Sequence, residues 1–166
     1  MDSVGAKYCP GTLKKGHDTY SVTTLKRVFN GKKVSHILPY DSPSTNALTD
    51  ELFDENRKRM SISGVQEKFS VLLKKNKLRL ISEEEQGQYI LKPIPGAAKN
   101  KEQMPANEHL TMQIARQIFA VETAENALIF FQNGAPAYIT KRFDIREDSS
   151  KWAQEDFASL AGRNPQ

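Results

Sequence analysis

Short apolar runs separated by polar turns dominate the middle of this chain, and one long stretch of helical spacing interrupts them. Phe69–Leu73 is rich in strand formers, and Leu78–Ile81 answers it across a turn region holding Asn76. Glu83–Gly87 is a polar turn, and Tyr89–Pro93 is a third strand, ended by Pro93 and Pro95. Residues 96–104 read as a loop. Pro105–Phe119 is the clearest helix: Pro105 suits its first turn, and Leu110, Ile114 and Ile118 stack four apart. Ala127–Gln132 and Ala137–Arg142 are two further strands. Asn133-Gly134 between them predicts a two-residue hairpin turn, because both positions accept positive φ. A polar segment 145–151 and a helix starting over Trp152–Leu160 follow.

Upstream the pattern is weaker. Residues 1–20 are polar and turn-rich. Ser21–Phe29 predicts a short helix, capped by Ser21 or Thr23 and ended at Gly31. Lys33–Leu38 alternates and predicts a strand, and Pro39–Thr45 is loop. Asn46–Arg59 predicts a second helix, with Leu48, Leu52 and Phe53 at helical spacing. Its end, Arg57, Lys58 and Arg59, reads as a solvated, dipole-favoured terminus rather than a nucleic-acid patch.

Composition changes this picture little. With 166 residues the chain can form one domain with a real core, or one lobe of a larger enzyme. No apolar run approaches ~20 residues and the N-terminus has no apolar leader, so the expectation is a cytoplasmic protein without a membrane span. The net charge of +4 is mild and spread along the chain. It suits an anionic nucleotide or occasional nucleic-acid contact and decides neither. Cys9 is the single cysteine, so no intrachain disulfide forms. With His17 and His36 it lacks the local pairing that structural zinc needs, and no metal site is expected.

The candidate chemistry sits on the third strand and the long helix. At about 100° per residue, Glu108 lines up with Met112, Ala115 and Phe119. A carboxylate heading an apolar line points towards covered surface, where it needs a cation or donors to offset desolvation. The nearest strand lysine in an apolar setting is Lys92. Three strands, a helix and a hairpin, with the lysine on the third strand and the acid in the helix, is the layout of a protein-kinase small lobe. The alternative is a structural ion pair in a small α+β domain. The hydroxyl-rich loop holding Ser61, Ser63 and Gly64 is either a phosphate cradle or ordinary turn chemistry.

Several segments together carry a family resemblance: SISGVQEKFSVLL (61–73), YILKP (89–93), NEHLTMQIA (107–115), YITKRFD (138–144) and WAQEDFASLAG (152–162). They resemble HipA-type serine/threonine kinases, the bacterial toxins of toxin–antitoxin modules, and their short HipT-like relatives. The resemblance implies an α+β fold: a kinase-like small lobe with a five-stranded antiparallel sheet and one packed helix, preceded by a small N-terminal subdomain. Residues 1–59 would be that variable subdomain, 60–144 the lobe, and 145–166 a linker and the start of a large lobe. It implies an ATP-binding lobe whose phosphate loop includes Ser63, Gly64, Val65 and Gln66. Lys92 would contact the α- and β-phosphates and Glu108 would pair with Lys92. Lys141 and Phe143 would belong to a hinge giving adenine backbone bonds and an aromatic wall. Ser61 and Ser63 would be candidates for autophosphorylation, which silences such kinases. A phosphate there adds ~1.5–2 negative charges where nucleotide phosphates belong. His109 and Asp144 receive no role, and His109 reads as a helix-face residue.

One departure matters. Phosphoryl transfer also needs a base-like aspartate and ligands for Mg²⁺. Only residues 144–166 follow Phe143, and they contain no catalytic-loop aspartate with a following asparagine. The expectation is therefore the N-terminal portion of a kinase, inactive without its large lobe. ATP and Mg²⁺ would be cofactors of the complete enzyme, with weak or absent binding here. Its implied partners are a protein substrate, a HipB-like antitoxin or a large-lobe partner, and DNA only through the antitoxin. The other class of function is a non-catalytic interaction module that binds an antitoxin or a separately encoded kinase lobe.

Overall fold

The computed structural model describes residues 7–43, 53, 67–82, 85–96, 99–146, 148–155 and 157–162. Apart from Phe53, the predicted helix Asn46–Arg59 lies outside the described residues, and so does the whole Ser61–Gln66 loop. The architecture is α+β, built on a five-stranded antiparallel sheet. Strands β1 (Phe69–Lys74), β2 (Lys77–Leu80), β3 (Tyr89–Pro93), β4 (Asn126–Phe130) and β5 (Pro136–Lys141) lie in the order β2-β1-β3-β5-β4. Among the described residues the helices are α1 (Val22–Phe29), α2 (Met104–Gln117) and the short α3 (Phe157–Leu160). The predicted loop before α2 holds a 3-10 turn at Lys101–Gln103. Among the described residues no helix is long and apolar enough to cross a membrane.

The two hairpins close differently. Lys75 and Asn76 both take left-handed φ, +49° and +62°, giving β1–β2 a two-residue turn whose twist matches its strands. The predicted two-residue turn at Asn133-Gly134 does not form. Only Gly134 of that pair is left-handed (φ +83°). Phe131 N donates to Ala135 O at 2.9 Å, so the loop is three residues long. Asn133 Oδ1 accepts the Ala135 amide at 3.2 Å, which stabilises the longer turn.

Strand alternation and register put Phe69, Val71, Leu73, Leu78, Leu80, Tyr89, Leu91, Ala127, Ile129, Ala137 and Ile139 on one face. That face packs against Tyr20, Val28, Phe29, Val34, Leu38 and Phe53 in one hydrophobic cluster. The upstream residues thus share their core with the strands. Polar contacts fix the seam: Tyr89 OH donates to Val28 O at 3.0 Å, and Tyr20 OH to Leu128 O at 2.7 Å. Ser21 caps α1 through Thr24 N at 3.2 Å, and Asn30 (φ +53°) and Gly31 (φ +78°) end it. Cys9 is a fully buried free thiol near the start of α1, hydrogen-bonded to Thr24 Oγ1 at 3.1 Å.

Two predicted elements shrink. Lys33–Leu38 contributes only an isolated parallel bridge, Ile37 to Phe130. The Ser35 hydroxyl accepts the Ile37 amide at 3.0 Å, so that donor is satisfied locally rather than in a ladder, and Pro39 follows. Among the described residues the predicted helix Trp152–Leu160 is helical over Phe157–Leu160. The Trp152 amide is committed to Asp144 O at 2.7 Å, and its ring lies 3.7 Å from the Arg146 guanidinium.

Candidate functional site

The alternation that sends Tyr89, Leu91 and Pro93 to the core sends Ile90 and Lys92 to the opposite face of β3. Register sets Lys92 opposite Tyr138, and Ile90 opposite Thr140 and Ser70. Around Lys92 this face is therefore half-buried and mixed: Ser70, Ile90, Thr140 and Leu72 are all partly exposed. Helix α2 packs on β4 and β5. Glu108, in its second turn, reaches back across the sheet. Lys92 Nζ donates to Glu108 Oε1 at 2.6 Å, and each side chain keeps about a quarter of its surface exposed (26% and 27%). The ammonium also lies 5.5 Å from the centre of the Tyr138 ring. Burial pushes the Tyr138 hydroxyl pKa well up, and the Glu108 charge adds to that.

An ammonium carries three donors. Glu108 takes one, and the other two have no partner among the described residues. The pair thus fixes a partly desolvated cation that keeps capacity for a further anion. Charge-assisted bonds of this kind are about twice as strong as neutral ones.

The rotation of α2 departs from its apolar pattern. Its buried residues are Pro105, His109 and Gln113. Leu110 (47%), Ile114 (38%) and Ile118 (70%) are exposed, as is Phe119. The reason is the surface opposite. β4 presents the buried amide of Asn126, whose Oδ1 meets His109 Nδ1 at 2.9 Å and accepts from Gln113 Nε2 at 3.2 Å. Buried polar groups must be paired, so the polar side of the helix turns inward. His109, read from the sequence as a helix-face residue, is fully buried on the inner face. Burial lowers its pKa, against a smaller opposing effect of Asn126.

The residues after β5 divide. The Lys141 side chain bonds Asn30 Oδ1 at 2.7 Å, on the core face and so on the side of the sheet away from Lys92. Its amide donates to Glu125 O at 2.7 Å, and that of Arg142 to Gln88 O at 2.9 Å. Of the expected hinge amides, only that of Phe143 has no partner among the described residues. The Phe143 side chain is exposed (73%). Asp144, which has no predicted role, is buried and paired through both oxygens with Arg142. Hydrogen bonds from Arg142 hold its carboxyl below the usual range.

Ser61, Ser63, Gly64, Val65 and Gln66 lie outside the described residues. The pairing of Phe69 with Leu91 brings the chain into β1 beside the Lys92 end of β3. Among the described residues no group of three or more His, Cys, Asp or Glu side chains is arranged to hold a metal ion.

A family model described as the HipA-like C-terminal domain matches residues 60–166. No curated protein matches the chain.

Proposed function

Because the chain belongs to the HipA-like family, we propose that residues 60–144 form the ATP-binding small lobe of a serine/threonine protein kinase of a toxin–antitoxin module. The observation that carries this reading is the 2.6 Å bond from Lys92 on β3 to Glu108 on α2. Strand, strand, strand, helix and hairpin appear in the order of a kinase small lobe, and the lysine and glutamate stand at the corresponding places. Lys92 binds the α- and β-phosphates through its two remaining donors, and Glu108 holds it there. The half-buried face around Leu72, Ile90 and Thr140 suits an adenine ring, with Phe143 as a wall and its amide as a donor. Residues Ser63–Gln66 are assigned to the phosphate-binding loop, and a phosphate on Ser61 or Ser63 would repel the nucleotide.

The Lys92 ammonium suits a phosphate in charge, and the described residues supply no carboxylate cluster for Mg²⁺. We assign the metal ligands and the base-like aspartate to a large lobe that covers the exposed side chains of Phe143, Trp152, Phe157 and Leu160. The small lobe contributes positioning and charge, which is most of what phosphoryl transfer asks of a protein. The complete kinase would phosphorylate a serine or threonine of a host protein and answer to an antitoxin. Calorimetric titration of Mg-ATP into the chain tests the site. Lys92→Ala should lower the affinity at least tenfold, and equal binding by both proteins removes Lys92 from this role.

A further inference from the structure

We infer that His109, through its hydrogen bond to Asn126, is the positioning residue that fixes the rotation of α2 and so delivers Glu108 to Lys92. The inference deepens the reading above, since the pair it controls is the pair assigned to the phosphates.

Apolar packing does not index this helix well. Its aliphatic stripe, Leu110, Ile114 and Ile118, faces outward. The inward positions four apart are His109, Gln113 and, further along, the more exposed Gln117, and they form a connected series. Gln117 Nε2 donates to Thr12 O at 3.1 Å and to Gln113 Oε1 at 2.9 Å. Gln113 Nε2 donates to Asn126 Oδ1 at 3.2 Å, the atom that also meets His109 Nδ1 at 2.9 Å. The series spans the N-terminal loop, α2 and β4. Hydrogen bonds are directional and apolar contacts are not, so rotation is set here.

The bond pattern also assigns the proton on His109. Asn126 Nδ2 donates to Ala124 O at 2.8 Å, which orients the amide with Oδ1 towards the helix. Oδ1 is an acceptor, so His109 Nδ1 carries the hydrogen. His109 Nε2 is then a bare lone pair, buried and without a partner among the described residues. The lowering of its pKa by burial agrees with a neutral ring.

Geometry makes the coupling steep. Side-chain ends lie ~5–6 Å from a helix axis, so a 30° turn of α2 moves a carboxylate by about 3 Å. That is enough to part Lys92 from Glu108. Losing the Asn126 contact loosens the half of α2 that carries Glu108, while Arg116, bonded to Glu125 Oε2 at 2.6 Å and Thr123 O at 2.7 Å, still holds the C-terminal half.

The test uses the full chain and two readouts that need no nucleotide. Ring ¹⁵N spectra should show His109 protonated at Nδ1 and bare at Nε2. Carbodiimide, which joins a lysine to a carboxylate only in direct contact, should give a Lys92–Glu108 cross-link detectable by peptide mass spectrometry. The yield should fall at least fivefold in His109→Leu and in Asn126→Ala. His109→Gln, which keeps a donor for Asn126, should stay within twofold of wild type. Each variant is compared at equal circular-dichroism helix content, and having two routes to the same bond covers the loss of one variant to misfolding. Unchanged yield in either folded variant, failure of the Gln rescue, or a proton on Nε2 overturns the inference. A chain whose Mg-ATP binding is the same in wild type and Lys92→Ala, but which behaves as stated here, would count against the kinase reading alone.

Discussion

Removing either member of the Lys92–Glu108 pair tests the geometry on which the site stands, independently of any activity. At an effective dielectric of ~20, two unit charges 2.6 Å apart attract by about 6 kcal/mol. Desolvation of both ions offsets most of that. Fully buried pairs cost ~3–5 kcal/mol when one partner is removed, and exposed pairs contribute ~0.2–1 kcal/mol. With 26% and 27% of the two side chains still exposed, this pair falls between those limits. We expect a coupling energy of about 1.5 kcal/mol in a double-mutant cycle of Lys92→Met and Glu108→Gln. Methionine keeps the apolar stem against Tyr138, and glutamine keeps the shape of the acid. Urea unfolding followed by circular dichroism measures all four proteins. Each single variant should lose ~1–2 kcal/mol, and the double variant clearly less than the sum. A coupling below about 0.3 kcal/mol would mean that the two charges do not meet in solution, and the account of the site would fail with it.

Three further outcomes follow from the packing and charge. Tyr89→Phe deletes the 3.0 Å bond to Val28 O across the seam between α1 and β3 and should cost ~1 kcal/mol in thermal or urea unfolding; no change would place that seam outside the stable core. Gly11→Ala puts a Cβ 2.1 Å from Thr24 Cγ2, a side chain only 1% exposed and unable to give way, so a loss of ~1–3 kcal/mol in unfolding free energy is expected. Asp144, held below the usual carboxyl range by Arg142, contributes stability that is present above the unfolded pKa near 3.9 and lost as pH falls through its lower folded value. The stability gap between wild type and Asp144→Asn should accordingly hold constant above about pH 5 and close in more acid solution, and a gap independent of pH would contradict the pairing.

Much of this protein was readable without coordinates, wherever the deciding forces are local. Tyr89–Pro93 and the β1–β2 hairpin follow from strand-forming residues and from a turn at Asn76 that tolerates left-handed φ. Ser21 announces the start of α1 because a hydroxyl there can accept the Thr24 amide. Lys92 stood out as a cation within an apolar run, and Glu108 as an acid heading a helical line. Turn geometry at Asn133 was less readable, since an Asn-Gly pair also suits a three-residue loop in which only the glycine is left-handed and Asn133 Oδ1 accepts the Ala135 amide.

Tertiary structure alone decided which side of α2 turns inward. Spacing marks Leu110, Ile114 and Ile118 as able to be buried, yet burial depends on what lies opposite, and opposite lies Asn126, which demands partners. Only the register of β5 reveals that Lys141 leaves the sheet on the side away from Lys92. Period and composition report the preferences of one segment at a time. The complementarity of two distant segments is a property of the pair, and it appears only once the chain has brought them together.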